Sequence, residues 1–258
     1  MKLVTWNVNS VRARLERVVA YFRKAAPDVA CLQETKVVDA DFPVEAFREL
    51  CYHATFHGQK TYNGVAILSR EAPADVVRGM QDGDPDADAR LLAVTVAGMS
   101  VVDVYVPNGQ EVGSPKYDFK LRWLARLRAF LDKNFRKEQP LVVCGDFNVA
   151  PEDRDVWDAE KWRGQVLFSE PEKAALKQVS DFGLIDALRE KNQDSGVYTW
   201  WDYRNGSFPR GWGLRIDHFL MSAALIGRLR AVTVERDERK GPNPSDHAPV
   251  VAELESPA

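Results

Sequence analysis

The stretch Leu141-Val142-Val143-Cys144-Gly145-Asp146-Phe147-Asn148 decides how this chain is read. Four consecutive apolar residues predict a buried strand. Gly145 is expected to break it, and two side chains able to meet a phosphate or its water, Asp146 and Asn148, follow. Residues i and i+2 of an extended backbone point the same way, so the carboxylate and the amide are expected to face one cavity. Open sheets place their chemistry at such strand ends. Asp and Asn also end strands because they suit turns, so the weight comes from recurrence.

The same event recurs on both sides. Lys2 to Trp6 reads as a strand followed by Asn7 and Asn9. Ser10 is a candidate N-cap, and Val11, Leu15, Val18, Val19 and Phe22 fall at helical spacing. Val29 to Leu32 is a second buried strand, closed by Gln33-Glu34. This β-α-β order makes the two strands parallel neighbours and brings Asn7 and Glu34 to one end. Leu91 to Val96 and Ser100 to Val106 read as a hairpin, with Tyr105 and Asn108 at its close. Asp217 interrupts the apolar run Leu214 to Met221, and Ser245-Asp246-His247 precedes a last strand, Pro249 to Leu254.

Between these points, Phe42 to Leu50 reads as a short helix, Val65 to Leu68 and Ala231 to Val234 as strands, and Tyr198 to Trp201 as a strand or its end. Lys116 to Arg136 is the longest helix, with Tyr117, Leu121, Leu124, Leu127 and Leu131 along one face and basic residues on the others. Glu172 to Phe182 is helical, residues 82–88 form an acidic solvated turn, and Tyr203 to Gly213 is a surface loop. Crossovers alternate with hairpins, which excludes a purely parallel sheet. The expected fold is an α+β sandwich of two packed mixed β-sheets flanked by helices, one domain over residues 1–258 with its site at one edge.

Composition narrows the function. The 258 residues are 45% hydrophobic and 28% charged, ordinary for a globular protein. No stretch approaches the roughly 20 apolar residues that span a bilayer. Cys31, Cys51 and Cys144 are too few and too odd in number for a disulfide scaffold and fit a reducing cytoplasm. A net charge of −3 does not advertise a nucleic-acid binder. A local basic patch can hide behind it, and carboxylates that hold a metal inflate the acidic count.

The polar residues at strand ends are Asn7, Glu34, Tyr105, Asn108, Asp146, Asn148, Asp217, Asp246 and His247. Oxygen donors dominate, with one imidazole and no thiol. That set disfavours structural zinc and favours a hard cation, Mg²⁺ with Mn²⁺ as substitute. Phosphodiester hydrolysis needs such a set. Glu34, with Asp246 and Asn7, is the candidate metal group. Asp146 is the candidate to deprotonate the attacking water or to protonate the leaving oxygen. Asn148 and Tyr105 are candidate donors to developing charge, and His247 to a non-bridging oxygen, with Asp217 fixing its tautomer.

Trp6-Asn7-Val8-Asn9-Ser10, Leu32-Gln33-Glu34-Thr35-Lys36, Tyr105-Val106-Pro107-Asn108-Gly109, Gly145-Asp146-Phe147-Asn148 and Ser245-Asp246-His247-Ala248-Pro249 occur in this order. Together they resemble the exonuclease III family of Mg²⁺-dependent abasic-site endonucleases, within the wider endonuclease/exonuclease/phosphatase fold. The resemblance covers nearly the whole chain. It implies Glu34 as metal ligand with Asn7 and Asp246 nearby, Asp146 as acid/base, Asn148, Tyr105 and Asn108 around the phosphate, and His247 paired with Asp217. It implies cleavage 5′ to an abasic site in double-stranded DNA, removal of 3′ blocks and 3′-to-5′ exonuclease action by a cytoplasmic monomer that joins the nucleoid when bound to DNA. A base-free sugar can rotate into a small apolar pocket, and Trp200 and Leu214 stand where the family's pocket wall is expected. Arg204, Arg210, Arg215, Lys60, Lys116 and Arg122 are candidate backbone contacts. Trp212 and Asp88 depart from the family pattern. Two other readings compete: a phosphoesterase of the same fold acting on inositol phosphates or sphingomyelin, and a non-catalytic nucleic-acid-binding regulator with broken catalytic positions.

Overall fold

The strand over 141–144 runs on through Gly145 to Asp146, and around it lies one of two six-stranded sheets. The computed structural model describes residues 1–84 and 88–255. Part of the acidic turn expected over 82–88 therefore lies outside the described residues. The first sheet contains β1 (Lys2–Asn7), β2 (Val29–Gln33), β3 (His53–His57) and β4 (Val65–Ser69), together with two later strands. The second contains β5 (Ala74–Arg78), β6 (Leu91–Val96), β7 (Met99–Tyr105), β8 (Leu141–Asp146), β9 (Leu184–Asp186) and β10 (Asp217–Ser222). β11 (Leu229–Val234) and β12 (Val250–Leu254) return to complete the first sheet. The orders are β11-β12-β1-β2-β4-β3 and β5-β6-β7-β8-β10-β9.

Each sheet holds one parallel pair, β1 with β2 and β7 with β8, among antiparallel neighbours. Alternate residues of each strand pack on opposite faces. Leu3, Cys31, Ile67, Val101, Val142 and Phe219 meet between the sheets. Val4, Trp6, Ala30, Leu32 and Leu68 face outward onto α1 (Leu15–Ala25) and α2 (Val44–Arg48). Val102, Val104, Leu141 and Val143 face α3 (Pro115–Asn134). This is the expected two-sheet sandwich with helices outside. The shorter α4 (Ala159–Trp162), α5 (Glu170–Ser180), α6 (Ala187–Lys191), α7 (Ser207–Arg210) and α8 (Ala223–Ile226) fill the connections.

Several expectations need correction. Gly145 does not break its strand. It sits at φ +140°, and a Cβ there would lie 1.9 Å from the Val104 carbonyl oxygen of β7. Glycine is required by close approach inside the sheet, not by a turn. Tyr198 to Trp201 forms no strand, only single bridges at Trp200 to Leu214 and to His247. The apolar run from Leu214 becomes strand only at Asp217. Residues 44–48 alone are helical within 42–50. β3, β5 and β9 went unseen because all three are sheet edges. An edge strand pairs on one side and carries little of the apolar pattern that betrays a buried strand.

α3 differs from its expected face in one consequential way. Leu121 is only half-buried, whereas Lys120 is wholly buried beside Tyr117, Trp123 and Leu124. α5 begins two residues earlier than expected. The Ser169 hydroxyl accepts from the Glu172 backbone N–H while the Glu172 carboxylate accepts from that of Ser169, a reciprocal cap.

Candidate active site

The C-terminal ends of the parallel pairs β1/β2 and β7/β8 open on the same edge of the sandwich. Asn7 registers with Gln33, the residue before Glu34, and Tyr105 registers with Asp146. β10 runs antiparallel to β8 and starts there, with Asp217 opposite Asp146. β12 runs antiparallel to β1, which brings Ser245-Asp246-His247 to the same rim. Seven of the nine residues singled out at strand ends converge closely here; Asn108 and Asp246 flank them.

Asn7 ties the two sheets together. Its amide nitrogen donates to Glu34 Oε1 at 2.8 Å and to Asp146 Oδ2 at 2.9 Å. Its Oδ1 accepts from the Asn9 N–H at 3.0 Å, which orients the amide. Asn7 therefore presents its amide hydrogens to the two carboxylates and links them. Glu34 stands at φ +51°, outside β2, and Asn148 at φ +52°, outside β8. The extended-backbone argument for Asp146 and Asn148 accordingly fails. The pair is joined instead by a tight turn in which Asp146 Oδ1 accepts from the Asn148 N–H at 2.9 Å.

Asn148 donates one amide hydrogen to the Val106 carbonyl and accepts from Asn108 through its Oδ1. Each asparagine keeps a second amide hydrogen for a ligand. Tyr105 lies beside Glu34. Burial, reinforced by the Glu34 and Asp146 charges, pushes its phenol well above the ordinary range and keeps it a neutral donor.

His247 lies between two carboxylates, with Nδ1 2.9 Å from Asp217 Oδ2 and Nε2 3.7 Å from Asp146 Oδ2. Burial alone would depress the imidazole. The Asp217 and Asp146 charges override it and hold the group up at about 10, so it is an imidazolium. Asp146 is raised to about 7, chiefly by burial; His247 opposes that shift while Asp217 and Glu34 add to it.

Ligand atoms of Glu34, Asp146 and His247 lie within 4.8 Å of one another. An imidazolium bonded to Asp217 has no lone pair to offer, so the carboxylates of Glu34 and Asp146 are the groups that fit a cation. Oxygen-only donors suit a hard divalent ion. Asp246 does not close on this cluster. Its oxygens accept from Asn9 Nδ2 and Trp200 Nε1, at 2.9 and 3.0 Å. It thereby braces Trp200 beside the cluster.

The substrate candidates divide. Lys60 is exposed. Arg204 is exposed but forked onto Asp202. Arg215 is no phosphate contact. It is wholly buried, paired with Asp155 and Asp186, and donates to His218 Nδ1. Leu214 has no exposed surface. It packs in the cluster with Val156, Phe168 and Ile216 on which Trp200 rests, so it supports Trp200 and offers no wall of its own.

Three contributors escaped the sequence reading. Lys36 pairs with Glu34 Oε2 at 2.7 Å and donates to Asn9. Arg90 covers the Tyr105 ring at 4.8 Å and pairs with Asp88, which gives that departure from the family pattern a structural role. Lys120 donates to the main-chain oxygens of Asn108 and Asn148. Its signal was present: position 120 lies three residues after Tyr117 and four before Leu124, on the helix face already marked apolar.

A model of the endonuclease/exonuclease/phosphatase family matches residues 4–247. The chain belongs to that family. Among curated relatives, exodeoxyribonuclease III of Haemophilus influenzae is 35% identical over 266 residues, spanning 98% of this chain and 100% of the relative. Among solved structures, the 3′ phosphatase NExo from Neisseria, bound to a product DNA hairpin, superposes with a TM-score of 0.96 at 42% identity, over 99% of both chains. An AP endonuclease from Archaeoglobus fulgidus gives 0.95 at 39% identity, over 98% of this chain and 99% of its own. Like other members of the endonuclease/exonuclease/phosphatase family, the chain is a phosphodiester hydrolase. Among the described residues no helix is long and apolar enough to cross a membrane.

Proposed function

We propose that this chain is a Mg²⁺-dependent DNA repair nuclease that hydrolyses phosphoesters at 3′ ends and the phosphodiester 5′ to an abasic site. The observation that carries this reading is the meeting of Glu34, Asp146 and His247 within 4.8 Å at an edge where Asn7 joins both sheets. A regulator with broken catalytic positions would not preserve that cluster. The relatives named for exodeoxyribonuclease and AP endonuclease activity support DNA over inositol phosphates or sphingomyelin as substrate.

Mg²⁺, or Mn²⁺ in its place, would be held by Glu34 and Asp146 and would supply charge neutralisation and polarisation of a phosphoryl oxygen. The other groups act through the chain itself. His247, kept charged by Asp217, donates from Nε2 toward a non-bridging oxygen. Tyr105 and the free amide hydrogens of Asn108 and Asn148 donate to the charge that develops around phosphorus. The second oxygen of Asp146 exchanges a proton with the attacking water or the leaving oxygen.

The burial of Leu214 bears on the order of the two activities. With Leu214 wholly buried, Trp200 is the member of the expected pocket-wall pair that keeps exposed surface, which supports 3′-terminal phosphoesters as the better substrate. The candidate groups come from both sheets, which supports a chain acting as a single domain. Three unpaired cysteines fit a cytoplasmic setting.

The test compares three labelled duplexes: one with a 3′-phosphate, one with an internal abasic analogue, and one undamaged. Each is incubated with Mg²⁺, with Mn²⁺ and with EDTA. The expected result is metal-dependent release of the 3′-phosphate, slower incision at the abasic position, and limited trimming of the undamaged control. Tight binding without any cleavage would overturn the reading in favour of a regulator.

A further inference from the structure

The residues around 204–215 carry three arginines with different fates. Arg204 is neutralised by Asp202, and Arg215 is buried on Asp155 and Asp186. Arg210 is exposed and, among the described residues, makes no ion pair. Its guanidinium lies instead 4.5 Å from the ring centre of Trp212. Trp212 in turn stacks on Trp157, with centroids 4.8 Å apart and 17° between the ring planes. Lys161, also exposed and without an ion pair among the described residues, holds its ammonium 5.0 Å from the Trp157 ring and 5.9 Å from that of Trp212. Two cations are thus held by two indoles where a carboxylate would have cancelled their charge. The ring faces restrict the long side chains without neutralising them.

This group has a defined position relative to the active site. Main-chain bridges step from His247 to Trp200, from Trp200 to Leu214, and from Leu214 to Val156, the residue before Trp157. At ~5 Å per step the indole pair stands on the order of 15 Å from His247. That is about four base-pair rises of B-form DNA at ~3.4 Å each. Trp157 and Trp200 rest on one apolar cluster, with Val156, Leu214 and Ile216 between them, so the spacing is built into packed core.

We infer that Arg210 and Lys161, propped on Trp212 and Trp157, grip the phosphate backbone of duplex DNA several nucleotides from the bond that is cut. The inference rests on the nuclease reading above and extends its footprint. The backbone is the better target than a base. The ring faces are covered by each other and by the two cations, so what the group presents outward is charge.

The experiment measures binding of the full chain to a labelled duplex bearing a 3′-phosphate, in EDTA so that nothing is cut, across a series of KCl concentrations. Each phosphate contact contributes about 0.9 to the slope of log K against log salt. Arg210→Ala/Lys161→Ala is expected to lower that slope by about 1.8 and to weaken binding ~10-fold or more near ~150 mM salt. Arg230→Ala, which removes a cation paired with Glu255, is the control for a lost surface charge. Trp212→Ala keeps both charges and is expected to lower the slope as well, because the cations lose their support. A slope for the double variant equal to that of Arg230→Ala would overturn the inference, and wild-type affinity in Trp212→Ala would overturn the propping. Failure of the wild-type chain to bind DNA at all would instead strike the nuclease reading, so the two failures are distinguishable.

Discussion

Lys120 and Glu172 form an ion pair in which neither side chain has any solvent exposure. The Lys120 ammonium also donates to the carbonyl oxygens of Asn108, at 3.1 Å, and Asn148, at 2.6 Å. Glu172 accepts from the N–H groups of Leu167 and Ser169 at the start of α5. The pair therefore pins the loops that follow β7 and β8 to the helices behind them. Those two loops carry the asparagines assigned to the phosphate.

Replacing Lys120 by Met leaves Glu172 buried without its partner, which is expected to cost about 3–5 kcal/mol. Turnover should fall ~10-fold or more, since a sub-ångström loss of donor placement is costly in catalysis. Combining Lys120→Met with Glu172→Gln should restore much of the stability in urea melts but not the turnover. Recovery of both together would make the pair a staple with no positioning role.

Glu34→Ala and Asp146→Asn are each expected to abolish metal-dependent cleavage, with Asp146→Asn lowering turnover by ~10²–10⁴-fold as befits a lost acid/base group. Circular dichroism should show both variants folded. Full activity in either one would sink the site as assigned.

Trp200→Ala removes a half-buried indole and frees Asp246 Oδ2. Incision at an abasic analogue should suffer far more than release of a 3′-phosphate, because only the first needs a surface for the displaced sugar. Equal losses in the two assays would reduce Trp200 to a packing residue.

Asp155 supplies the pH prediction. Its burial would raise the carboxyl, but hydrogen bonds and charge from Arg215 and Arg189 hold it below its ordinary 3.8. A depressed carboxylate stabilises the fold above its unfolded value, and that contribution is lost as pH falls through the folded one. Asp155→Asn should therefore be destabilised by about 3–5 kcal/mol near neutral pH, where Arg189 loses its carboxylate partner and Arg215 keeps only Asp186. The gap to wild type should begin to narrow below about pH 4 and close only as pH falls through the lower folded-state value, read from thermal melts across the acid range. A gap independent of pH would mean that Asp155 acts through packing alone.

Much of the architecture was legible locally. Cys31 and Cys144 lie in runs read as buried strands and are buried, and the crossover through α1 correctly made β1 and β2 parallel. The strands that went unseen lie at sheet edges, where one side faces water and the pattern thins. Arg215 looked like the other exposed arginines of its region because its partners, Asp155 and Asp186, lie 60 and 29 residues away. Lys120 was hidden by the habit of assigning lysine to solvent.

What the sequence determined by itself is the cast and the edge: oxygen donors at strand ends, in an order that a two-sheet sandwich brings to one rim. Hydrophobic periodicity is local information, and a strand end is a local event. Only the tertiary structure decided who touches whom. Asn7 reaches Asp146 across 139 residues to become a link between carboxylates, and His247 reaches Asp217 across 30 to stay charged. Asp246 accepts from the Trp200 indole across 46 residues. Those outcomes depend on the register between strands and on the packing of one sheet against the other. A side chain's charge state and partners follow from what is buried around it, which no stretch of sequence carries alone.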